Sequence, residues 1–143
     1  MLVIGSNGQL GTDCMSVLEQ AGKVQGTDFP EIDIADNLRT MEVLDRLRPE
    51  VIGNCAAYTA VDACENDTGC WPINADGPRF LAQWALKNDA FLVHVSTDYV
   101  FDGAKSLFSA YTEVDEPAPV SEYGRSKLAG EQAILESGAN AVI

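Results

Sequence analysis

A tyrosine and a lysine in the C-terminal part of the chain have the spacing of a catalytic pair. Tyr123 and Lys127 are four residues apart, so a helix would present both side chains on one face. A positive charge near a phenol lowers its pKa from a reference of about 10, which would make Tyr123 a usable general acid near neutral pH. The same spacing is common on solvated helix faces, so the pair predicts catalysis only together with other features.

A hydroxyl group at the end of an apolar run is a second candidate for chemistry. Thr97 follows the run that ends at Ser96. Open parallel sheets bind their ligands at the carboxyl ends of strands, where a hydroxyl could bind a carbonyl oxygen. The alternative is that Thr97 and Asp98 only cap a turn.

Three glycines near the N-terminus form a G-x-x-G-x-x-G motif, Gly5 to Gly11. Glycines at such a turn let the backbone approach a pyrophosphate, and the following helix supplies N–H groups and a positive dipole end. Ordinary strand-to-helix turns also use glycine. Here the motif lies after an apolar run and before a helical pattern, which favours a dinucleotide site.

An acidic residue lies where a dinucleotide site would use one. Asp28 follows Gly11 by 17 residues and comes near the end of the second apolar segment. There it could accept hydrogen bonds from the adenosine ribose and repel the 2′-phosphate of NADP. We therefore expect the protein to use NAD or both cofactors. The alternative is that Asp28 is only an acidic residue in a surface turn.

Apolar runs and helically spaced apolar residues predict the elements that would position these residues. Strands are expected at 2–4, 23–27, 51–56, 90–96 and 140–143. Helices are expected at 10–21, between 67 and 88, and at 121–136. Another helix is expected to follow an Asp36 cap and to run to Leu47, with Leu38, Met41 and Leu44 on the same face as Leu47. The segment 102–120 reads as a long loop. Unalternated strands separated by helices predict an α/β fold with a doubly wound parallel sheet, the Rossmann fold.

Composition excludes several other classes of protein. The chain has 143 residues and is 46% hydrophobic, which suits one domain with one core. Its net charge of -13 argues against a nucleic-acid partner. Without a membrane-length apolar run or a signal peptide, we expect a cytoplasmic protein with no membrane partner.

The cysteines and the single histidine are interpreted as structural. The four cysteines form no C-x-x-C pair, so neither zinc nor a disulfide is expected. Cys14 and Cys55 are predicted to be small core residues. His94 lies inside an apolar run and is predicted to be a hydrogen-bonded core residue and not a catalytic base.

Four sequence blocks occur in an order typical of one enzyme family. GSNGQLG, NCAAYTAVDACE, VHVSTDYVFDG and YGRSKLAGE resemble the signature blocks of the dTDP-4-dehydrorhamnose reductases, which are extended short-chain dehydrogenases/reductases. The resemblance runs through essentially the whole chain. It implies that reduced nicotinamide, NADPH or NADH, gives hydride to C4 of dTDP-4-dehydro-L-rhamnose and yields dTDP-L-rhamnose.

The resemblance also implies a role for individual residues. The implied catalytic set is Thr97, Tyr123 and Lys127, in which Tyr123 donates a proton, Thr97 binds the carbonyl oxygen and Lys127 holds the nicotinamide ribose. Thr97, Asp98 and Tyr99 are implied substrate contacts. The other implied cofactor contacts, beside Tyr123 and Lys127, are Gly5, Gly8, Gln9, Leu10, Gly11, Asp28, Asp33, Ile34, Ala56, Ala57 and Tyr58. No metal site is identified.

Members of this family are longer than the chain. We therefore expect residues 1–143 to be an NAD(P)-binding Rossmann domain that is incomplete at its C-terminus and lacks the substrate-binding part. Its open sheet edge would allow association into a homo-oligomer. A fragment without the remote substrate contacts should lose turnover even with its catalytic set intact.

Other functions are compatible with the same blocks. One is a non-catalytic regulatory subunit resembling that of methionine adenosyltransferase, although the intact Thr97, Tyr123 and Lys127 argue against it. Another is a different NAD(P)-dependent nucleotide-sugar reductase or epimerase. A third is a chain that only binds the cofactor.

Overall fold

Five parallel strands form one sheet in the computed structural model, which describes residues 1–143. The order across the sheet is β2-β1-β3-β4-β5. The strands are β1 (Leu2–Ile4), β2 (Gln25–Thr27), β3 (Val51–Asn54), β4 (Phe91–His94) and β5 (Ala141–Val142). The predicted parallel, doubly wound sheet is confirmed.

Helices connect the strands and cover the sheet. They are α1 (Gln9–Leu18), α2 (Asn37–Leu47), α3 (Val61–Cys64), α4 (Gly77–Asn88) and α5 (Glu122–Ser137). A π-helical turn, Pro72–Asp76, leads directly into α4, and a 3₁₀ turn, Asp98–Val100, follows β4. Pro78 thus lies at the beginning of α4, directly after this π-helical turn. None of these helices has both the length and the apolar character required to cross a bilayer.

The main core lies on one face of the sheet. Side chains alternate between the faces of a strand, so Leu2, Ile4, Ile52 and Leu92 point to the same side. There they join Leu44, Leu81, Trp84 and Ile134, along with other buried residues of α2, α4 and α5. Packing within this layer of three helices holds α5 against the sheet and thereby places Tyr123 and Lys127.

The opposite face carries only α1, which packs on β1 and β2. Val17 on this helix is 66% exposed, and Val95 and Val142 on the same side of the sheet are 40% and 50% exposed. The apolar stripe of α1 that the sequence shows is therefore only partly buried in this chain.

Several predicted helix boundaries are confirmed. The Asp36 carboxylate accepts hydrogen bonds from the Leu38 and Arg39 N–H groups and begins α2. Ser121 caps α5 in the same way through Gly124, and Gly138, with a φ of +74°, ends it.

The predicted face of α2 is wrong at Leu38, whose side chain is 81% exposed. The buried residues are Thr40, Val43 and Leu44. Leu38 precedes Leu44 by six residues, which turns it by about 240° around the helix axis and away from the core.

Four strands are shorter than predicted. β2, β3, β4 and β5 begin or end one to two residues inside the ranges expected from the apolar runs. Apolar residues such as Ala56 and Val95 extend beyond the paired segments and line the cleft described below. The prediction for 102–120 is confirmed, since no helix or strand occurs there.

The cysteine prediction needs a correction, whereas the histidine prediction is confirmed. Cys14 and Cys55 are only half-buried, and the buried thiols are Cys64 and Cys70. Cys14 lies on α1, on the sheet face that has no further cover. His94 is 2% exposed and hydrogen-bonded on both ring nitrogens.

Candidate active site

The glycine turn between β1 and α1 packs directly against the end of β3. Gly5 has a φ of +79°, and a Cβ built on it would lie 2.7 Å from the Ala56 nitrogen. A Cβ on Gly11 would lie 2.0 Å from the Gly5 carbonyl oxygen. Only glycine fits at these two positions, so the turn stays tight and its backbone is open to a ligand.

The N-terminus of α1 opens into a cavity of about 340 Å³. Gly8 is the N-cap of this helix and has no side chain that could accept from the first-turn N–H groups. Gln9, Leu10 and Gly11 line the cavity on one side, and Tyr123 and Lys127 line it on the other. A helix N-terminus without its own cap is suited to bind a phosphate.

A second cavity of about 300 Å³ continues from the first one toward the end of β2. The two share Gly8, Cys55 and Ala57 in their walls. The second cavity is lined by predicted cofactor contacts, namely Gly5, Asp28, Asp33, Ile34 and Ala56. Together they form a cleft at the carboxyl ends of β1 and β3, where the strand order reverses and open α/β sheets bind ligands.

The Asp28 carboxylate is fixed at the edge of this cleft. One oxygen accepts from the Asn7 N–H of the glycine turn at 2.8 Å, and the other accepts from the Phe29 N–H at 2.8 Å. Asp28 therefore ties the end of β2 to the glycine turn and presents a negative charge to the second cavity.

Tyr58 lines neither cavity, unlike the other predicted cofactor contacts. Its N–H donates to the Asn74 side-chain oxygen at 2.8 Å, and its hydroxyl donates to Asp67 at 3.2 Å. Its role as a cofactor contact stays a prediction.

Thr97 follows β4 and lies near Tyr123 of α5. Burial raises the pKa of Tyr123, and the nearby Thr97 hydroxyl, which acts to lower it, has the smaller effect. The Tyr99 ring contacts the Tyr123 ring edge to face, with 5.5 Å between the centroids. The expected lowering of this pKa by Lys127 is wrong for the cofactor-free chain, because the lysine amine has other partners.

Lys127 is directed into the protein. Its side chain is 1% exposed, and Nζ donates to the Val95 carbonyl at 2.7 Å and lies 3.4 Å from His94 Nε2. Burial lowers the pKa of Lys127 to about 8, although the Glu131 carboxylate acts to raise it. Lys127 thus lines the cavity from the protein interior and titrates close to neutral pH.

A larger depression of about 730 Å³ adjoins the Tyr123 end of the cleft. Thr97 and Asp98 line it together with Glu131 and the last residues of the chain, and Ser96 belongs to both walls. Ser96 donates a hydrogen bond to Glu131. Two of the three predicted substrate contacts therefore face this depression, and the third, Tyr99, lies on Tyr123.

Three buried polar residues that the sequence analysis did not select hold the site together. Asn74 donates to the Ser126 hydroxyl at 3.0 Å, which in turn donates to the Tyr123 carbonyl at 2.8 Å. Asn54 donates to His94 at 3.0 Å. The signal for Asn54 was available, because a polar residue at the end of an apolar strand must find a buried partner.

Burial also keeps the thiol beside the cleft unreactive. It raises the pKa of Cys55 to about 11, and the neighbouring Cys14 adds to the shift. A protonated thiol is a poor nucleophile. Cys55 is therefore not a candidate nucleophile.

Comparison with known proteins agrees with this geometry. Residues 1–143 match the family model of the RmlD substrate binding domain. The dTDP-4-dehydrorhamnose reductase of Aggregatibacter actinomycetemcomitans is 38% identical over 100% of this chain and 49% of its own length. The chain thus spans about half the length of the curated relatives that it matches.

Two solved structures are similar over the same region. The crystal structure of a dTDP-4-dehydrorhamnose reductase from Clostridium acetobutylicum has a TM-score of 0.93 and 39% identity, and covers 98% of this chain and 50% of its own. A structure of the dTDP-4-dehydrorhamnose reductase from Bacillus anthracis in complex with NADP has a TM-score of 0.92 and 37% identity, with the same coverage. On this evidence the chain belongs to the RmlD substrate binding domain family.

Proposed function

We propose that this chain is the cofactor-binding part of an NAD(P)H-dependent reductase that acts on a nucleotide-linked keto sugar. The finer assignment is reduction of the C4 keto group of dTDP-4-dehydro-L-rhamnose to give dTDP-L-rhamnose. The observation that carries the proposal is a cavity that has the uncapped N-terminus of α1 on one side and Tyr123 and Lys127 on the other. The names of the similar reductases and the NADP complex support it.

The cleft fits a dinucleotide. The turn at Gly5 and Gly11 leaves no room for side chains, and the uncapped N-terminus of α1 is suited to a pyrophosphate. Asp28, Asp33 and Ile34 would hold the adenosine end. The negative charge of Asp28 would favour NADH over NADPH at the ribose. Because a relative was solved in complex with NADP, the proposal allows either cofactor.

The chemistry follows from the positions of the hydroxyl groups. Bound NADPH or NADH would supply a hydride, with its two electrons, to the sugar C4 carbon. Thr97 would donate a hydrogen bond to the carbonyl oxygen and hold it against Tyr123. Tyr123 would then give its proton to that oxygen, which completes the alcohol and leaves a phenolate. Since burial raises the pKa of Tyr123 in the cofactor-free chain, the phenol is fully protonated before the reaction.

The test is reduction of dTDP-4-dehydro-L-rhamnose by the full-length protein, followed through the loss of NADPH or NADH absorbance. Replacing Tyr123 by Phe removes the proton donor and keeps the ring, so kcat should fall by roughly 10²- to 10⁴-fold with little change in NADPH binding. Tyr111→Phe is the matched control, because Tyr111 lies in the exposed loop and stacks on Phe101 at 4.4 Å. Its activity should stay near that of the unmodified protein.

Two results would contradict the proposal. If the full-length protein binds NADPH but none of the keto sugars tested leads to its oxidation, the protein is not a reductase of this class. Unchanged turnover in Tyr123→Phe would show that the proton comes from another group. Copurification with a synthetase and no turnover would support the regulatory-subunit alternative.

A further inference from the structure

Three buried polar side chains form a row beneath the catalytic end of the cleft. Asn54 at the end of β3, His94 at the end of β4 and Lys127 on α5 are 0%, 2% and 1% exposed. Asn54 Nδ2 lies 3.0 Å from His94 Nδ1, and His94 Nε2 lies 3.4 Å from Lys127 Nζ. Buried polar groups in a row must match donors with acceptors along its whole length.

A backbone N–H sets the direction of this row. The Ala56 N–H donates to Asn54 Oδ1 at 3.2 Å, so the oxygen of the amide faces Ala56 and its NH₂ group faces His94. His94 Nδ1 must then accept from Asn54. A neutral imidazole carries only one proton, which therefore lies on Nε2, the nitrogen that faces Lys127.

The Nε2–H group of His94 can donate only to a lone pair. The amine form of Lys127 has one, and the ammonium form has none. Both forms can donate to the Val95 carbonyl, so this bond does not distinguish between them. The direction of the row therefore favours the amine.

The other titratable groups around Lys127 act in both directions. Glu131 on the same helix favours the ammonium, whereas burial favours the amine. Tyr123, one turn earlier on α5, and Cys55, at the end of β3, line the same cavity. Both are protonated and uncharged near neutral pH, because burial raises the pKa of each. His94 is uncharged too, since burial lowers its pKa to about 3.

We propose that Asn54 and His94 are positioning residues that present the His94 Nε2–H to Lys127 and favour its amine form in the cofactor-free site. The role in catalysis rests on the proposed function, but the hydrogen-bond direction does not. Lys127 is then not a permanent cation. It takes up or releases a proton near neutral pH, next to the phenol that must regain one after each reduction.

The first test is the ¹⁵N NMR spectrum of the imidazole in the cofactor-free chain. The chain contains one histidine, so its ring signals need no assignment. We expect an unprotonated Nδ1 and a protonated Nε2 between pH 6 and 8. A proton on Nδ1, or an imidazolium that titrates in this range, would overturn the proposal. Neither result depends on the reductase activity, so this test and that of the proposed function can fail separately.

The second test reverses the row with Asn54→Asp. The carboxylate can still accept from the Ala56 N–H but has no proton for His94, so Nδ1 must become the donor and Nε2 the acceptor. The ammonium of Lys127 would then be favoured, and the pH midpoint of its ε-CH₂ signal should rise by about one unit or more. In full-length protein the alkaline limb of the pH profile of kcat/KM should move in the same direction.

Asn88→Asp is the matched control, because Asn88 bonds to Arg48 and Trp84 outside the cleft. It adds the same charge and should change neither the tautomer nor the midpoint. An Asn54→Asp protein that keeps the Nε2–H tautomer and an unchanged Lys127 midpoint would refute the proposal. If Asn54→Asp does not fold, the tautomer of the unmodified chain still decides it.

Discussion

Tyr123 and Lys127 lie one turn apart on α5 but belong to different environments. The phenol lies near Thr97 and contacts the Tyr99 ring, whereas Lys127 Nζ donates to the Val95 carbonyl and lies against His94. The spacing that predicts a pair is therefore correct about the helix face and wrong about the pKa of Tyr123. Burial decides that pKa in the cofactor-free chain, and Lys127, whose Nζ has other partners, does not offset it.

The buried state of His94 predicts how stability depends on pH. Burial lowers its pKa from 6.5 to about 3, so between these values the unfolded chain binds a proton that the folded chain does not. The free energy of unfolding should therefore decrease as the pH falls through this window, by up to about 1.4 kcal/mol per pH unit from this group. Lys127 has its effect at alkaline pH, where stability should rise between pH 8 and 10.5.

Urea unfolding of the chain at a series of pH values, compared with His94→Gln, measures this effect. Glutamine has no titrating group, so the difference between the two proteins removes the contribution of the carboxylates. The difference should change steadily from pH 6.5 toward pH 3. Parallel curves for the two proteins would mean that His94 is accessible and titrates normally.

The sequence predicted most residues of the cleft but little of what supports them. Gly5, Asp28, Thr97 and Tyr123 were found because motif residues at strand ends have a local spacing that reflects their chemistry. The position of Asn54 at the end of an apolar strand indicates that it needs a buried partner, but its partner His94 is 40 positions away in the chain. Sequence spacing does not show contacts of that range.

At the level of elements, the turn between β1 and α1 is packed too closely to accept a side chain at Gly11. Gly11→Ala would place a Cβ 2.0 Å from the Gly5 carbonyl oxygen and must push α1 away from the turn. We expect a loss of about 1–3 kcal/mol of stability and the loss of saturable NADPH binding, measured by urea unfolding and by cofactor fluorescence.

Gly22→Ala is the control for that experiment. Gly22 follows α1 in the sequence, and a Cβ built on it has nothing within 4 Å. Its stability and NADPH binding should equal those of the unmodified chain. If Gly11→Ala also binds NADPH normally, the glycine turn is not the pyrophosphate site.

Elements were predicted more reliably than their ends or their exposed faces. Every long apolar or helical pattern became a strand or helix, because burial against the sheet requires that period. The strands end early where β3 and β4 reach the cleft, and Leu38 faces solvent although Thr40, Val43 and Leu44 of the same helix are buried. These differences depend on which neighbouring element covers a residue, and a local pattern does not contain that information.

For the molecule as a whole, the two faces of the sheet differ strongly. Three helices cover one face, and α1 alone covers the other, where Val17, Val95 and Val142 are exposed. The predicted Rossmann fold is present, and the chain spans about half the length of its relatives. The depression that adjoins the Tyr123 end of the cleft lies beside the last residues of the chain.

The most direct test of the account is hydride transfer by the full-length protein. NADPH that carries deuterium at the transferable position of the nicotinamide would be supplied with dTDP-4-dehydro-L-rhamnose, and the product analysed by NMR and mass spectrometry. We expect a product with one deuterium at sugar C4, formed in equal amount with oxidised cofactor and lost in Tyr123→Phe. A product without deuterium, or a sugar isomerised with no net oxidation of NADPH, would contradict it.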